Sequence, residues 1–124
     1  MISLKIIFTI LAVHWIGDFA FQTDKMAKGK SKNWNDLLSH TGVYSLIWLI
    51  PSFIIFFNEL ETGLIKTLIF LLVTFTFHTI TDYFTSRLNS KLWAENKMHW
   101  FFVSVGFDQI LHYIQLFLTY YLLI

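Results

Sequence analysis

The chain has no cysteine, a single proline and few charges for its 124 residues. Without cysteine there is no disulfide framework and no thiolate metal site. Nine basic residues against eight acidic ones leave a net charge of +1, so no overall field points to nucleic acid. What fills the chain instead is apolar: 56% of residues, with a mean hydropathy of +0.59. A soluble domain this short cannot hide so much apolar surface, because small domains keep a high surface-to-volume ratio. Composition therefore places the chain in a membrane, as one domain covering residues 1–124.

A helix crossing the hydrocarbon core needs about 20 largely apolar residues. Four segments meet or approach this, at about residues 2–21, 41–57, 63–84 and 100–124. The expected fold is an all-α integral membrane four-helix bundle. The second span is short and contains Pro51. The first has Lys5 ahead of an apolar stretch, as a signal peptide would, but it continues past His14 and Asp18 and has no small-x-small cleavage site. Cleavage is not expected.

Three loops connect the spans. KMAKGKSKNWND carries Lys25, Lys28, Lys30 and Lys32, and SRLNSKLWAENKMH carries Arg87, Lys91 and Lys97. Between them, NELET carries Glu59 and Glu61. Short Lys/Arg-rich loops stay in the cytoplasm. Seven of the nine basic residues then lie inside and both termini lie on the non-cytoplasmic side, with Lys5 and Lys66 weakly opposed.

Within these apolar segments, histidine and aspartate recur four residues apart. The pairs are His14 and Asp18, His78 and Asp82, and, reversed, Asp108 and His112, while His40 opens the second span. Residues i and i+4 share a helix face. On the third helix that face reads Thr74, His78, Asp82 and Thr85, and on the fourth Ser104, Asp108, His112, Gln115 and Thr119. At 1.5 Å per residue, all seven His/Asp side chains lie roughly 5–20 Å from the cytoplasmic face. An ionisable group facing lipid costs several kcal/mol, so these faces should turn inward.

Any one pair alone reads as a polar couple that helps two helices pack. Three pairs and His40 at one depth read as a functional cluster. His99 sits at the mouth of the fourth helix and reads as interfacial, with Trp34, Trp93 and Trp100 forming an aromatic belt. The lysines read first as an orientation signal and then as contacts for anionic lipid. Gln22 and Asp24 fall at a helix end, where capping or loop bonding is expected, and Gln109 lies off the Asp108–His112 face. VHWIGDF and FHTITDY form a weak internal repeat of two parallel hairpins.

Imidazole with carboxylate suits Zn²⁺, Fe²⁺ or Mn²⁺ and suits Ca²⁺ or Cu(I) poorly. Zinc is the expected ion, with iron or manganese as alternatives. His14, His78, Asp82 and His112 are the expected ligands. Asp18, Asp108 and His40 are the expected bridging or proton-transfer groups. Four histidines and three aspartates exceed one site, so either two ions share a carboxylate or one ion is flanked by acid–base groups. A metal-dependent hydrolase of a lipid-linked phosphate or ester at the cytoplasmic leaflet fits the depth. Proton or ion translocation through the cluster is the first alternative. A structural membrane subunit with a polar packing cluster is the second, and a homo-oligomer could help enclose so many polar groups.

The combination H-x-x-x-D-F-x-x-Q-T-D, a lysine-rich loop, a histidine opening the next helix, H-x-x-x-D-Y and D-Q-x-x-H resembles a family of small bacterial and phage-borne integral membrane proteins, a domain of unknown function. Here the motif residues are His14, Asp18, Phe19, Gln22, Thr23, Asp24, His40, His78, Asp82, Tyr83, Asp108, Gln109 and His112. The likeness spans nearly the whole chain and implies a bacterial cytoplasmic (inner) membrane protein. The H-x-x-x-D pairs also resemble those of membrane-bound proteins named as metal-dependent hydrolases. In that light Gln22 and Gln109 make sense as hydrogen-bond donors to the metal ligands.

Overall fold

The computed structural model describes residues 2–124, and all of its regular structure is helical. Helix α1 (Leu4–Trp15) runs into a π-helical stretch, Ile16–Ala20. Then come α2 (Asp24–Gly29), α3 (Trp34–Ile47), α4 (Leu49–Phe56), α5 (Leu60–Ala94) and α6 (Met98–Leu123). Three stretches are long and apolar enough to cross a membrane: Trp34–Phe56, Leu60–Ala94 and Met98–Leu123.

Local chemistry sets the boundaries. Ser3, Thr23 and Asn33 cap α1, α2 and α3 by accepting from the amides of Ile6, Met26 and Asp36. The Asn33 cap starts α3 at Trp34, seven residues before the expected opening of the second span. His40 therefore lies well inside a helix and not at its mouth. Pro51 lacks an amide proton, and its ring crowds the carbonyl four residues back, at Ile47. The helix breaks there: the Trp48 amide tightens onto Ser45 O at 3.1 Å, and Ser52 Oγ donates to Trp48 O at 2.6 Å.

Helix α5 also outruns its expected end at residue 84, reaching Ala94. Charge marks where a chain leaves hydrocarbon, but only a breaker ends a helix, and no glycine or proline occurs between Leu64 and Ala94. The stop is Asn96 at φ 55°, a left-handed position that asparagine tolerates. At 35 residues α5 is about 52 Å long, some 20 Å more than the hydrocarbon core.

The chain is polar inside and apolar outside. The buried residues of α5 are Gly63, Thr67, Phe70, Thr74, His78, Asp82 and Ser86, one inward seam at steps of three and four. Leu68, Leu72 and Phe84 of the same helix are each more than 60% exposed. Helix α5 packs on α6, α3 and α4, while α1 packs on α6 and α4 and the π stretch packs on α3. Ile10, Trp48, Phe56, Phe70 and Leu116 fill one end of the interior, and Tyr44 marks the boundary with the polar end.

Candidate metal centre

All seven His/Asp side chains predicted to converge are buried, none more than 7% exposed. They come from four places: His14 and Asp18 from α1 and the π stretch, His40 from α3, His78 and Asp82 from α5, and Asp108 and His112 from α6. One chain alone buries them.

The densest part is a group of four, Asp18, His40, His78 and Asp82. Asp18 Oδ1 stands 3.1 Å from His40 Nε2 and 3.4 Å from His78 Nε2. The two Nε2 atoms are 3.2 Å apart. Asp82 Oδ2 lies 3.2 Å from His40 Nε2 and 3.7 Å from His78 Nε2. Hydrogen bonds cannot account for these five contacts. Carboxylate oxygens only accept, and each Nε2 has at most one proton to give. A central cation accounts for all of them. Bonds of about 2.0–2.1 Å in a tetrahedral site imply ligand–ligand edges of roughly 3.3–3.4 Å, the middle of the observed range. The buried His/Asp group can hold a metal ion.

Asp18, Asp108 and His112 form a second group. His112 Nε2 is 3.2 Å from Asp82 Oδ1 and 3.4 Å from Asp108 Oδ1, and Thr85 Oγ1 donates to Asp108 Oδ1 at 2.6 Å. Asp82 thus turns one oxygen to each side of the cluster. The His78 ring is clamped between the faces of Tyr44 and His112, at centroid distances of 3.9 and 4.1 Å. This clamp orients His78 although its Nδ1 has no hydrogen-bond partner.

His14, expected among the ligands, stands outside both groups, with its ring nitrogens on Tyr44 and Gln109. Gln109 Nε2 donates to Asp18 Oδ2 and Asp108 Oδ2, which can only accept, so the orientation of the amide is fixed. Gln109 Oε1 then faces His14 Nε2 at 2.7 Å, which must carry the proton. Neutral His14 Nδ1 is left to accept from Tyr44 Oη at 2.8 Å. Neither ring nitrogen is free for an ion. The His–Asp separation itself does not distinguish this pair, since His14 Nε2 sits 3.8 Å from Asp18 Oδ2 and His78 Nε2 sits 3.7 Å from Asp82 Oδ2, but the backbone after Trp15 is π-helical. The two H-x-x-x-D segments therefore do not fold alike, since His78 and Asp82 lie in unbroken α-helix.

Asp18 and His40, expected as proton-transfer groups, stand in the group of four. Gln109, expected off the face, is the amide that ties Asp18, Asp108 and His14 together. Gln22 makes no such bond, and its Oε1 is buried without a partner.

The family described as "Protein of unknown function (DUF3307)" matches residues 6–124. The chain belongs to this family. No curated protein and no solved structure matches it.

Two residues of this family member were missed as site residues by the motif reading. Lys30 places Nζ 2.8 Å from Asp82 Oδ2 with its side chain only 16% exposed. Burial pushes its ammonium down, but the Asp82 and Asp18 carboxylates outweigh this and hold it above the ordinary lysine value. In sequence Lys30 is one of four lysines in a basic loop, and nothing distinguishes it. Tyr44 was findable: it lies four residues after His40, the same spacing that exposed the His/Asp pairs. Gly17 makes room for it, since a β-carbon there would meet Tyr44 Cδ2 at 2.9 Å.

Proposed function

We propose that this protein is a membrane-embedded metal-dependent hydrolase acting on a lipid-linked phosphate or ester at the cytoplasmic leaflet of the bacterial inner membrane. The observation that carries this reading is the buried group of Asp18, His40, His78 and Asp82, five of whose oxygen and nitrogen separations lie between 3.1 and 3.7 Å. Zinc fits that donor set best. A divalent ion held by these four ligands would have to take up a fifth position to polarise a phosphoryl or carbonyl oxygen and to make water a competent nucleophile at neutral pH.

The protein groups around it have distinct tasks. His40, His78, Asp18 and Asp82 hold the ion. The Asp108–His112 pair, braced by Thr85, takes and returns the proton of hydrolysis. Gln109 bridges Asp18 and Asp108 by donating to both, and it accepts from His14. Lys30 offsets the charge of Asp82.

The segment Leu4–Ala20 serves as a fourth span, giving a four-helix bundle with both termini on the non-cytoplasmic side. Support comes from the two basic segments meeting at one end: Ser90 Oγ donates to Ser31 Oγ at 2.8 Å, and Lys30 reaches Asp82. The translocation reading finds less support. The polar stripe continues from His112 to Gln115, which donates to Thr74 and Thr119. Beyond that the interior is filled mainly by Trp48, Phe56, Phe70 and Leu116, with the hydroxyls of Ser52 and Thr67 as isolated polar groups among them.

The test is metal content, by elemental mass spectrometry on protein purified without a histidine tag or chelator. Wild type should carry close to one divalent ion per chain, and a His40→Ala/His78→Ala variant should carry none. Wild-type protein free of metal would sink the reading.

A further inference from the structure

Beyond the His/Asp cluster, a cavity of about 610 Å³ lies between α2 with its following turn and the end of α5 that extends past the hydrocarbon. This volume suits a small organic ligand. Lys28, Lys32, Ser86 and Asn89 line one side, Trp93 and Phe101 another, and no carboxylate lines it. Two features point to a missing ligand. Ser86 is only 7% exposed, yet its hydroxyl has no hydrogen-bond partner, and neither has the buried Asn89 carbonyl oxygen one helical turn on. Buried polar atoms are nearly always paired, so two neighbouring orphans in a cavity wall need an explanation. Lys28 and Lys32 likewise have no ion-pair partner among the described residues. Lys30 lines the same cavity while bonding Asp82, so it joins the cavity to the His/Asp cluster.

We infer that this cavity binds the phosphate group of a lipid-borne phosphate monoester, with the anion between Lys28, Lys32 and the Ser86 hydroxyl and the adjoining apolar part against Trp93 and Phe101. Lysines supply point charges for a phosphate and the hydroxyl supplies a directed bond. The Asn89 carbonyl accepts from a protonated phosphate oxygen or from a headgroup hydroxyl. Position favours a lipid over a free anion. Ser86 lies about 39 Å along α5 from Leu60, where a helix standing upright in a 30 Å core has reached the headgroup layer. The inference names the substrate class for the hydrolase reading and rests on it, but its binding test does not require the metal.

The test is binding to detergent-purified, metal-loaded protein, measured by calorimetry. The probes are dihexanoyl phosphatidic acid, dihexanoyl phosphatidylcholine and inorganic phosphate. Phosphatidic acid should bind at one per chain, at least tenfold tighter than either of the others. A Lys28→Gln/Lys32→Gln variant and a Ser86→Ala variant should each weaken it, the first by tenfold or more, with metal content unchanged. Trp93→Ala should weaken the lipid several-fold and leave inorganic phosphate unaffected. The metal-free His40→Ala/His78→Ala variant should still bind the lipid, so loss of the metal reading and loss of this one are separable. Equal binding of the two lipids, or lysine variants that bind like wild type, would overturn the site. Inorganic phosphate bound as tightly as the lipid would overturn the lipid as its source.

Discussion

Replacing Lys30 with methionine should destabilise the chelated protein about twice as much as the metal-loaded one. With neutral imidazoles, Asp18, Asp82 and Asp108 bring three negative charges to the buried cluster and Lys30 brings one positive charge. The metal-free cluster is thus at −2, and one divalent ion makes it neutral. Lys30→Met in the chelated protein leaves Asp82 buried without its cation, which costs about 3–5 kcal/mol. In the loaded protein the ion still pairs with Asp82, and the loss shrinks to one charged hydrogen bond, about 1.5–3 kcal/mol. For a chain of this length each kcal/mol moves Tm by about 4 °C, taking soluble domains as the guide. The expected losses are therefore about 12–20 °C with chelator and about 6–12 °C without. Thermal unfolding followed by tryptophan fluorescence measures both, because Trp48 is fully buried. Methionine keeps the length of the lysine stem, so packing changes little. Equal losses with and without chelator would refute the claim that the ion and Lys30 share Asp82.

His14→Ala should keep its metal while His78→Ala loses it, since both His14 nitrogens are used by Tyr44 and Gln109; elemental mass spectrometry separates the two outcomes. Tyr44→Phe should cost about 1–3 kcal/mol by leaving His14 Nδ1 buried without a donor, yet retain metal because the ring still stacks on His78. Unfolding and metal analysis on the same sample check this, and metal loss would show that the Tyr44 hydroxyl does more than orient His14. Gly29→Ala, next to Lys30 in the chain, drives a β-carbon into the Asp36 carboxylate, and overpacking of this kind costs about 1–3 kcal/mol. Adding Asp36→Ala should recover part of the loss, and a double-mutant cycle with no coupling would contradict the contact.

The helix faces were legible because hydrocarbon makes the sequence unusually explicit. A buried seam in α5 must be read from polar residues in an apolar helix, and Thr74, His78 and Asp82 appear in the sequence as they appear in the fold. Three of the membrane-crossing stretches were legible for the same reason. Helix ends were less so, because they depend on caps and breakers: Asn33 set the start of α3 and Asn96 the end of α5, neither of which changes hydropathy much. The division of roles was not legible at all. Spacing makes His14 and His78 equivalent, each followed by an aspartate at i+4. What separates them is a glutamine from another helix bonded to His14 Nε2, and no local pattern announces it. Lys30 was hidden for the opposite reason, being the one lysine of its loop whose carboxylate partner lies 52 residues away.

Charge also decides how many ions the cluster should hold. The first ion brings the buried cluster to neutrality, with Lys30 counted. A second ion at Asp18, Asp108 and His112 would leave it at +2 in a buried setting, where an uncompensated charge costs several kcal/mol. One ion per chain is therefore expected in buffer free of phosphate, with the Asp108–His112 pair left to carry protons. A phosphate dianion reaching the cluster past Lys30 would supply the missing −2, so any second ion should appear only with it. Metal-to-protein ratios measured in phosphate-free buffer and again with a saturating lipid phosphate distinguish the cases. A ratio of two without any added anion would mean that Lys30 is displaced or discharged when metal binds and that a further anion such as bound hydroxide supplies the last charge. Lys30→Met would then raise the affinity for the second ion, which titration of the variant would show directly.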